Sequence, residues 1–397
     1  MNDQPDWKEV LRGRDILCIS SMAYEGMWTR KQRLMTILAD SGCRVLYVEP
    51  NFPMYARRGH SGGKSELSYE KQPGLHILRP RGIWPLARFG FIRRANFRHY
   101  VRRVKRVAAT LNLKKPILIT YLPVIHANTA MADMLDQIDY SILVYDCVDE
   151  HAETEGYNYD FVKKVDYDLT ARADVAFVTA RGLYEDRKHL GDHIYLSPNG
   201  VDVAHFSKAL LDHTRIPEDL ARIPSPRIGF VGALSDWIDY DLMARIARTY
   251  PNYHLVLVGP LKKGVKPEVL ENLPNVHFLG MKPLEILPGY LKGFDCGINP
   301  FCRRGIAERV NPLKMYEYLA AGLKVVSIDM PEVMPLEGII SIARTEDQFV
   351  TAVDDCITGK FQPDYDRLQQ MLPEHDWKII FDSLLTKVAQ KILEREQ

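Results

Sequence analysis

The sequence predicts two doubly wound α/β domains, and three observations carry that expectation. Short runs rich in Val and Ile recur along the chain. They alternate with segments of helical period, and the alternation pauses once, near residues 203–226, before it starts again. Runs that are apolar on successive residues suit strands buried on both faces, the condition of a parallel sheet with helices on each side. The 397 residues agree, since an ordinary domain takes roughly 150.

The first run is Ile16–Ser20, followed by a polar loop and a helix expected from about Trp28 to Asp40. Gly42 closes that helix as a C-terminal cap and Val45–Val48 is the next run. Further runs are Ile117–Thr120, Ile142–Tyr145, Val175–Val178 and Ile194–Leu196. After Pro198–Asp202 comes a polar stretch with Pro217, Pro224 and Pro226. The second set is Ile228–Gly232, His254–Gly259, Val276–Gly280, Cys296–Asn299 and Lys324–Ile328. An amphipathic helix is expected from about Trp377 to Glu394. In such sheets ligands bind beyond the carboxyl ends of the strands, where strand order reverses, and two facing domains make the cleft between them the default site.

Composition excludes several classes. Lys and Arg number 52 against 51 Asp and Glu, so the total calls for no nucleic-acid partner. The acidic, polar start Met1–Trp7 is unlike a basic n-region and argues against a cleaved signal peptide. No uncharged apolar run approaches the ~18 residues of a membrane span. The six cysteines are scattered without a C-x-x-C pair, which argues against structural zinc and a disulfide framework and fits a reducing cytosol. Asp166-Tyr167-Asp168 and Asp239-Tyr240-Asp241 are Asp-x-Asp pairs placed in or at the start of helices. They read as solvated or capping carboxylates, and no catalytic metal is expected.

The most informative segment is Asn311–Gly322. Asn311 suits an N-cap, Pro312 the first helical position, and Gly322 the end. Lys314 then falls in the first turn, where a cation opposes the helix dipole unless an anion is bound there. Arg303 and Arg304 add positive charge in the preceding loop, and Glu317 lies one turn further in, placed to accept hydrogen bonds from a ribose diol. An amphipathic helix with a solvated lysine and glutamate is the plain alternative.

Pro-x-Lys-x-x-Glu-Tyr-Leu-Ala-x-Gly before a Val-Val strand resembles the nucleotide-sugar site of glycosyltransferases with the GT-B fold. Pro198–Asp202 resembles that family's interdomain motif, and Gly232 and Gly259, after Val231 and Val258, resemble its donor-side turns. The likeness covers most of the chain and is strongest to bacterial cell-surface polysaccharide enzymes, including the teichuronic-acid type. It implies an acceptor-binding domain at 1–203, a donor-binding domain at 204–375, and a final helix at 376–397 that crosses back onto the first domain. Gly232, Ser235, Gly259, Arg303, Asn311, Leu313, Lys314 and Glu317 would bind the donor, a UDP-sugar first and a GDP-sugar second. No cofactor is implied, the sugar nucleotide being a co-substrate.

The chain also departs from the family. Many retaining members carry a glutamate where this chain has Arg309, beside Glu308. They place an Arg/Lys pair about the first turn of the second domain, which here reads Gly232–Asp239 and is acidic. Lys314 and the nearby arginines would then hold the diphosphate, and the retaining mechanism is in question. An inverting reaction needs a base for the acceptor hydroxyl. Asp149, in the segment Tyr145–His151 after a buried strand, is the first candidate by that resemblance; Asp146 reads as structural, with His126 and His151 as alternatives.

The loop Ser20–Arg33 is not G-x-G-x-x-G, so an NAD or FAD site loses its main support. In the family this loop borders acceptor and donor phosphates, which brings in Gly26, Trp28 and Arg30. From Arg79 to Arg106 there are ten Arg/Lys and no Asp or Glu, interleaved with Trp84, Phe89, Phe91, Phe97 and Tyr100. Net charge is +5 through residue 200 and −4 after it. Arg93, Arg94, Arg102 and Arg103 suit an anionic membrane face or a lipid-diphosphate acceptor; a plain basic helix is the alternative. The expected function is transfer to a lipid-linked or polysaccharide acceptor at the inner face of the cytoplasmic membrane. A nucleotide-sugar epimerase of the same architecture and an inactive transferase-like scaffold are the rivals.

Overall fold

The computed structural model describes residues 5–50, 67–80, 84, 89–126, 129–153, 157–303 and 305–397. The chain divides into two compact units, one made of Met1–Ser197 with Phe381–Gln397, the other of Pro198–Ile380.

In chain order the first unit contains β1 (Asp15–Ile19), β2 (Arg44–Val48), β3 (Leu67–Gln72), β4 (Leu75–Arg79), β5 (Ile117–Thr120), β6 (Val124–His126), β7 (Thr129–Ala130), β8 (Leu143–Cys147), β9 (Val175–Val178) and β10 (Ile194–Leu196). Eight of them form one sheet in the order β10-β9-β8-β5-β1-β2-β4-β3, and β6 and β7 pair separately. Only β3 runs antiparallel in the large sheet. Strand order reverses between β1 and β5, so the segments after β1, β5 and β8 meet at that point. The residues of β1, β5, β8 and β9 are buried without exception, as two covered faces require.

The second unit holds β11 (Arg227–Val231), β12 (His254–Val258), β13 (Val276–Gly280), β14 (Cys296–Asn299), β15 (Val325–Ile328) and β16 (Ser341–Ala343). All pair in parallel in the order β13-β12-β11-β14-β15-β16, with the reversal between β11 and β14. Its core runs from Val201 to Leu368 and includes Phe230, Met315 and Tyr318.

Four features differ from expectation. The β3–β4 hairpin, the β6–β7 pair and the short β16 were not anticipated, and the helix after β14 starts one residue late, at Leu313, with Pro312 rather than Asn311 at the N-cap. The final helix, Trp377–Glu396, enters the first unit at Phe381. There Asp382 accepts a hydrogen bond from Trp7 Nε1 at 2.7 Å, and Glu396 pairs with Arg14 at 2.9 Å. Among the described residues no helix is long and apolar enough to cross a membrane.

Candidate functional site

In the second unit the site is built where strand order reverses. β11 and β12 each run into a glycine with positive φ, Gly232 at +152° and Gly259 at +148°. A Cβ on Gly259 would lie 1.9 Å from the Gly232 carbonyl oxygen, so only glycine lets these two turns touch. The turns continue the sheet as hydrogen bonds: Leu234 N donates to Pro260 O at 2.9 Å and Lys262 N donates to Leu234 O at 2.8 Å.

Lys314, the second residue of the Leu313–Ala320 helix, reaches this turn; a Cβ on Gly232 would meet its Cε at 3.0 Å. Its ammonium lies 5.1 Å from the Phe230 ring centre and 4.6 Å from that of Phe301. Among the described residues no carboxylate ion-pairs with it. Burial pulls its pKa down to about 8, against a smaller opposing pull from Glu317 one turn further along. No side chain caps this helix start, so its dipole and Lys314 both favour an anion in front of it. Tyr318, on the same helix, accepts a hydrogen bond from Val231 N at 2.7 Å and ties the helix to the end of β11. The Ser235 hydroxyl is buried without a partner among the described residues, as is Asn299 Oδ1 at the end of β14.

Two expectations for this unit need correction. Arg303 is not a cation held ready for phosphate: it pairs with Asp329 and donates to Ala343 O at 2.7 Å, which fastens the ends of β15 and β16. Asn311 does not cap the helix; its Nδ2 donates to Glu332 at 3.0 Å and its carbonyl accepts from Asn199 at 2.8 Å. Arg304 lies outside the described residues. The acidic first turn is also less acidic than it reads. Asp239 is taken up as the N-cap of the Tyr240–Thr249 helix, accepting from Leu242 N at 2.8 Å. The Lys262 ammonium lies 3.7 Å from the Trp237 ring centre. Sequence reading missed Lys262, Phe230, Phe301 and Tyr318. For Lys262 the only signal was its place just past a strand-end glycine.

In the first unit Asp149 sits half-buried after β8, and Cys147 Sγ donates to its carbonyl oxygen at 3.5 Å. Lys31, from the helix that follows β1, is buried with its ammonium 5.5 Å from the ring centre of Tyr121, which follows β5. Burial lowers the Lys31 pKa, and the charges of Asp149 and Asp146 oppose that. His151 is buried with Nε2 unpartnered among the described residues; burial lowers its pKa, opposed by Asp166 and Asp149. Thus segments after β1, β5 and β8 bring a lysine, a phenol, a carboxylate and an imidazole to the reversal point.

Arg30 does not face a ligand. Only 2% exposed, it donates to Asp146 at 2.7 Å and to the Ser197 carbonyl and hydroxyl at 3.0 and 2.8 Å. A buried carboxylate requires such a partner, which outweighs the helix-start argument for phosphate. Asp166 is likewise not solvated: it is fully buried, accepting from Arg187 and Tyr145 at 2.8 Å each. The loop before Arg30 is fixed by Gln32, whose Oε1 accepts from Thr29 N at 3.1 Å and whose Nε2 donates to Ala23 O and Met27 O. Gly26 there has φ +126°, and Trp28 meets Tyr24 edge-on at 5.8 Å. The His126 side chain lies outside the described residues.

The Gly90–Thr110 helix buries Phe97, Tyr100, Val101, Val104 and Val107. Arg94 and Arg102 are exposed and Arg93 and Arg103 half-buried, while Phe91 is 72% and Trp84 56% exposed. No group of three or more His, Cys, Asp or Glu that could hold a metal occurs among the described residues.

Residues 225–358, which hold the turns, Lys314 and the helix behind it, match the family described as glycosyl transferases group 1. That match lies within the second unit and spans 134 of the 397 residues. A Bacillus subtilis (strain 168) protein assigned to teichuronic acid biosynthesis as a glycosyltransferase is 23% identical over 264 residues. That match covers 61% of this chain and 66% of the relative, just short of two thirds. Among solved structures, sucrose-phosphate synthase from Thermosynechococcus elongatus superposes with a TM-score of 0.71 at 15% identity, covering 96% of this chain and 99% of that one. HepE of Anabaena, in complex with UDP and glucose, gives 0.65 at 14% identity, covering 95% and 100%. E. coli trehalose-6-phosphate synthase bound to UDP-2-fluoro glucose gives 0.66 at 11% identity, covering 94% and 99%. At such identities these likenesses establish the fold, which is GT-B.

Proposed function

We propose that the protein transfers a sugar from a nucleoside diphosphate sugar, a UDP-sugar before a GDP-sugar, to a lipid-linked or polysaccharide acceptor in bacterial cell-surface polysaccharide synthesis. The observation that carries this reading is Lys314: an ammonium between two aromatic rings, unpaired with any carboxylate among the described residues, at a helix start where strand order reverses. An anionic ligand would complete that arrangement electrostatically. A diphosphate between Lys314 and the Gly232 turn leaves Glu317 one turn deeper for the ribose hydroxyls. UDP in the HepE structure supports uridine as the nucleoside, and the Bacillus subtilis relative supports the cell-surface role.

In an inverting reaction Asp149 takes the proton of the acceptor hydroxyl as its oxygen attacks the anomeric carbon, and the nucleoside diphosphate leaves. The exposed arginines of the Gly90–Thr110 helix, with the exposed rings of Phe91 on it and Trp84 and Phe89 before it, support docking on an anionic membrane surface from the cytoplasmic side. The test is transfer from radiolabelled UDP-sugars to lipid-linked acceptors. Asp149→Asn is expected to lower turnover by at least ~100-fold while UDP affinity is unchanged. Near wild-type turnover would reject the base.

A further inference from the structure

We infer that Lys262, held on the face of Trp237, is a second diphosphate-contacting residue of the donor site, supplied by the β12 turn to the acidic β11 turn. The inference rests on the donor-site reading above and adds a residue to it. The β11 turn, Gly232–Asp239, contains no basic residue, and Asp236 is exposed on it. The neighbouring turn after β12 is locked to it by two hydrogen bonds, Leu234 N to Pro260 O and Lys262 N to Leu234 O. The close approach of Gly259 to the Gly232 carbonyl fixes the same register. That register sets Lys262 beside Trp237, with the ammonium 3.7 Å from the ring centre. A cation on an indole face is oriented by the ring quadrupole, and Lys262 is an exposed residue at the edge of the turn. Lys314 meets the same turn at its first residue, Gly232, and Lys262 meets it at Trp237. A nucleoside diphosphate lying along this turn is thus met by one lysine at each end. The charge that the β11 turn lacks in sequence is restored in space.

The test compares UDP and uridine binding, by calorimetry and by saturation-transfer NMR, in wild type, Lys262→Met, Lys262→Arg and Lys314→Met. Lys262 is exposed, so its variants are expected to keep the wild-type melting temperature. Removing a charge-assisted contact should raise the Kd for UDP about tenfold in Lys262→Met, leave uridine binding unchanged, and be largely reversed in Lys262→Arg. Trp237→Leu, which removes the platform, should weaken UDP in the same direction. UDP affinity unchanged in Lys262→Met, with Lys314→Met weakened, overturns this inference and leaves the donor site standing. Failure of wild type to bind either UDP or GDP overturns the donor reading itself, and this inference with it.

Discussion

At the residue scale, Lys314 and Arg30 show two fates for a basic side chain at a helix start. Both lie in the first turn of a helix that follows a strand, and both read as phosphate contacts in the sequence. Arg30 has found Asp146, which is 116 residues distant, and no local pattern reveals that. Lys314 ion-pairs with no carboxylate among the described residues, and its place in the first helical turn was legible from the adjoining Pro312 and Gly322, while the rings of Phe230 and Phe301 beside it were not. Replacing Arg30 by Met would leave Asp146 buried and uncompensated, with a loss of roughly 3–5 kcal/mol in denaturant unfolding and no change in Kd for UDP. Lys314 makes a pH-dependent prediction. Its folded pKa of about 8 lies below the ordinary 10.5, so the unfolded state binds more protons between those values and stability rises with pH across that window. A bound diphosphate favours the ammonium, so UDP binding near pH 8 should take up about half a proton and should weaken as pH rises further. Calorimetry in buffers of different ionisation enthalpy checks the uptake, and no uptake would remove Lys314 from the phosphate.

At the element scale, the strands covered on both faces were legible because they are apolar without interruption. The β3–β4 hairpin escaped for the opposite reason: Leu67–Gln72 is largely polar, and an antiparallel edge strand has no need of a continuous apolar run. β16, three residues long, is too short for any periodicity. The Lys262–Trp237 contact was illegible because it depends on the register of two parallel turns, and register does not appear in either segment alone. That register hangs on Gly259. Gly259→Ala puts a Cβ 1.9 Å from a backbone oxygen, so a loss of about 2 kcal/mol or more is expected on chemical unfolding, together with weaker UDP binding. The Gly90–Thr110 helix makes a separate prediction. Replacing Arg93, Arg94, Arg102 and Arg103 with Gln should reduce sedimentation with phosphatidylserine vesicles, and an unaltered bound fraction would reject the membrane surface.

At the scale of the whole molecule, the chain closes its first unit with its last residues. Leu384, Leu385, Val388, Ala389 and Ile392 are buried, and Phe381 lies under the Arg30 guanidinium at 5.9 Å. Truncation after Ile380 would uncover that apolar surface, and the first unit should lose stability and aggregate. The architecture was readable from strand grammar and one motif. The long-range pairings that settle which cations are committed, Arg30 with Asp146 and Arg303 with Asp329, were not. The central claim is that the second unit binds a nucleoside diphosphate through Lys314. A thermal-shift panel of UDP, GDP, ADP, CMP and NAD on wild type and Lys314→Met tests it most directly. A ligand at 100 times its Kd stabilises by about 2.7 kcal/mol. A selective shift with UDP or GDP, diminished in Lys314→Met, is the expected result. A shift with NAD alone, or none with any nucleoside diphosphate, would contradict the account.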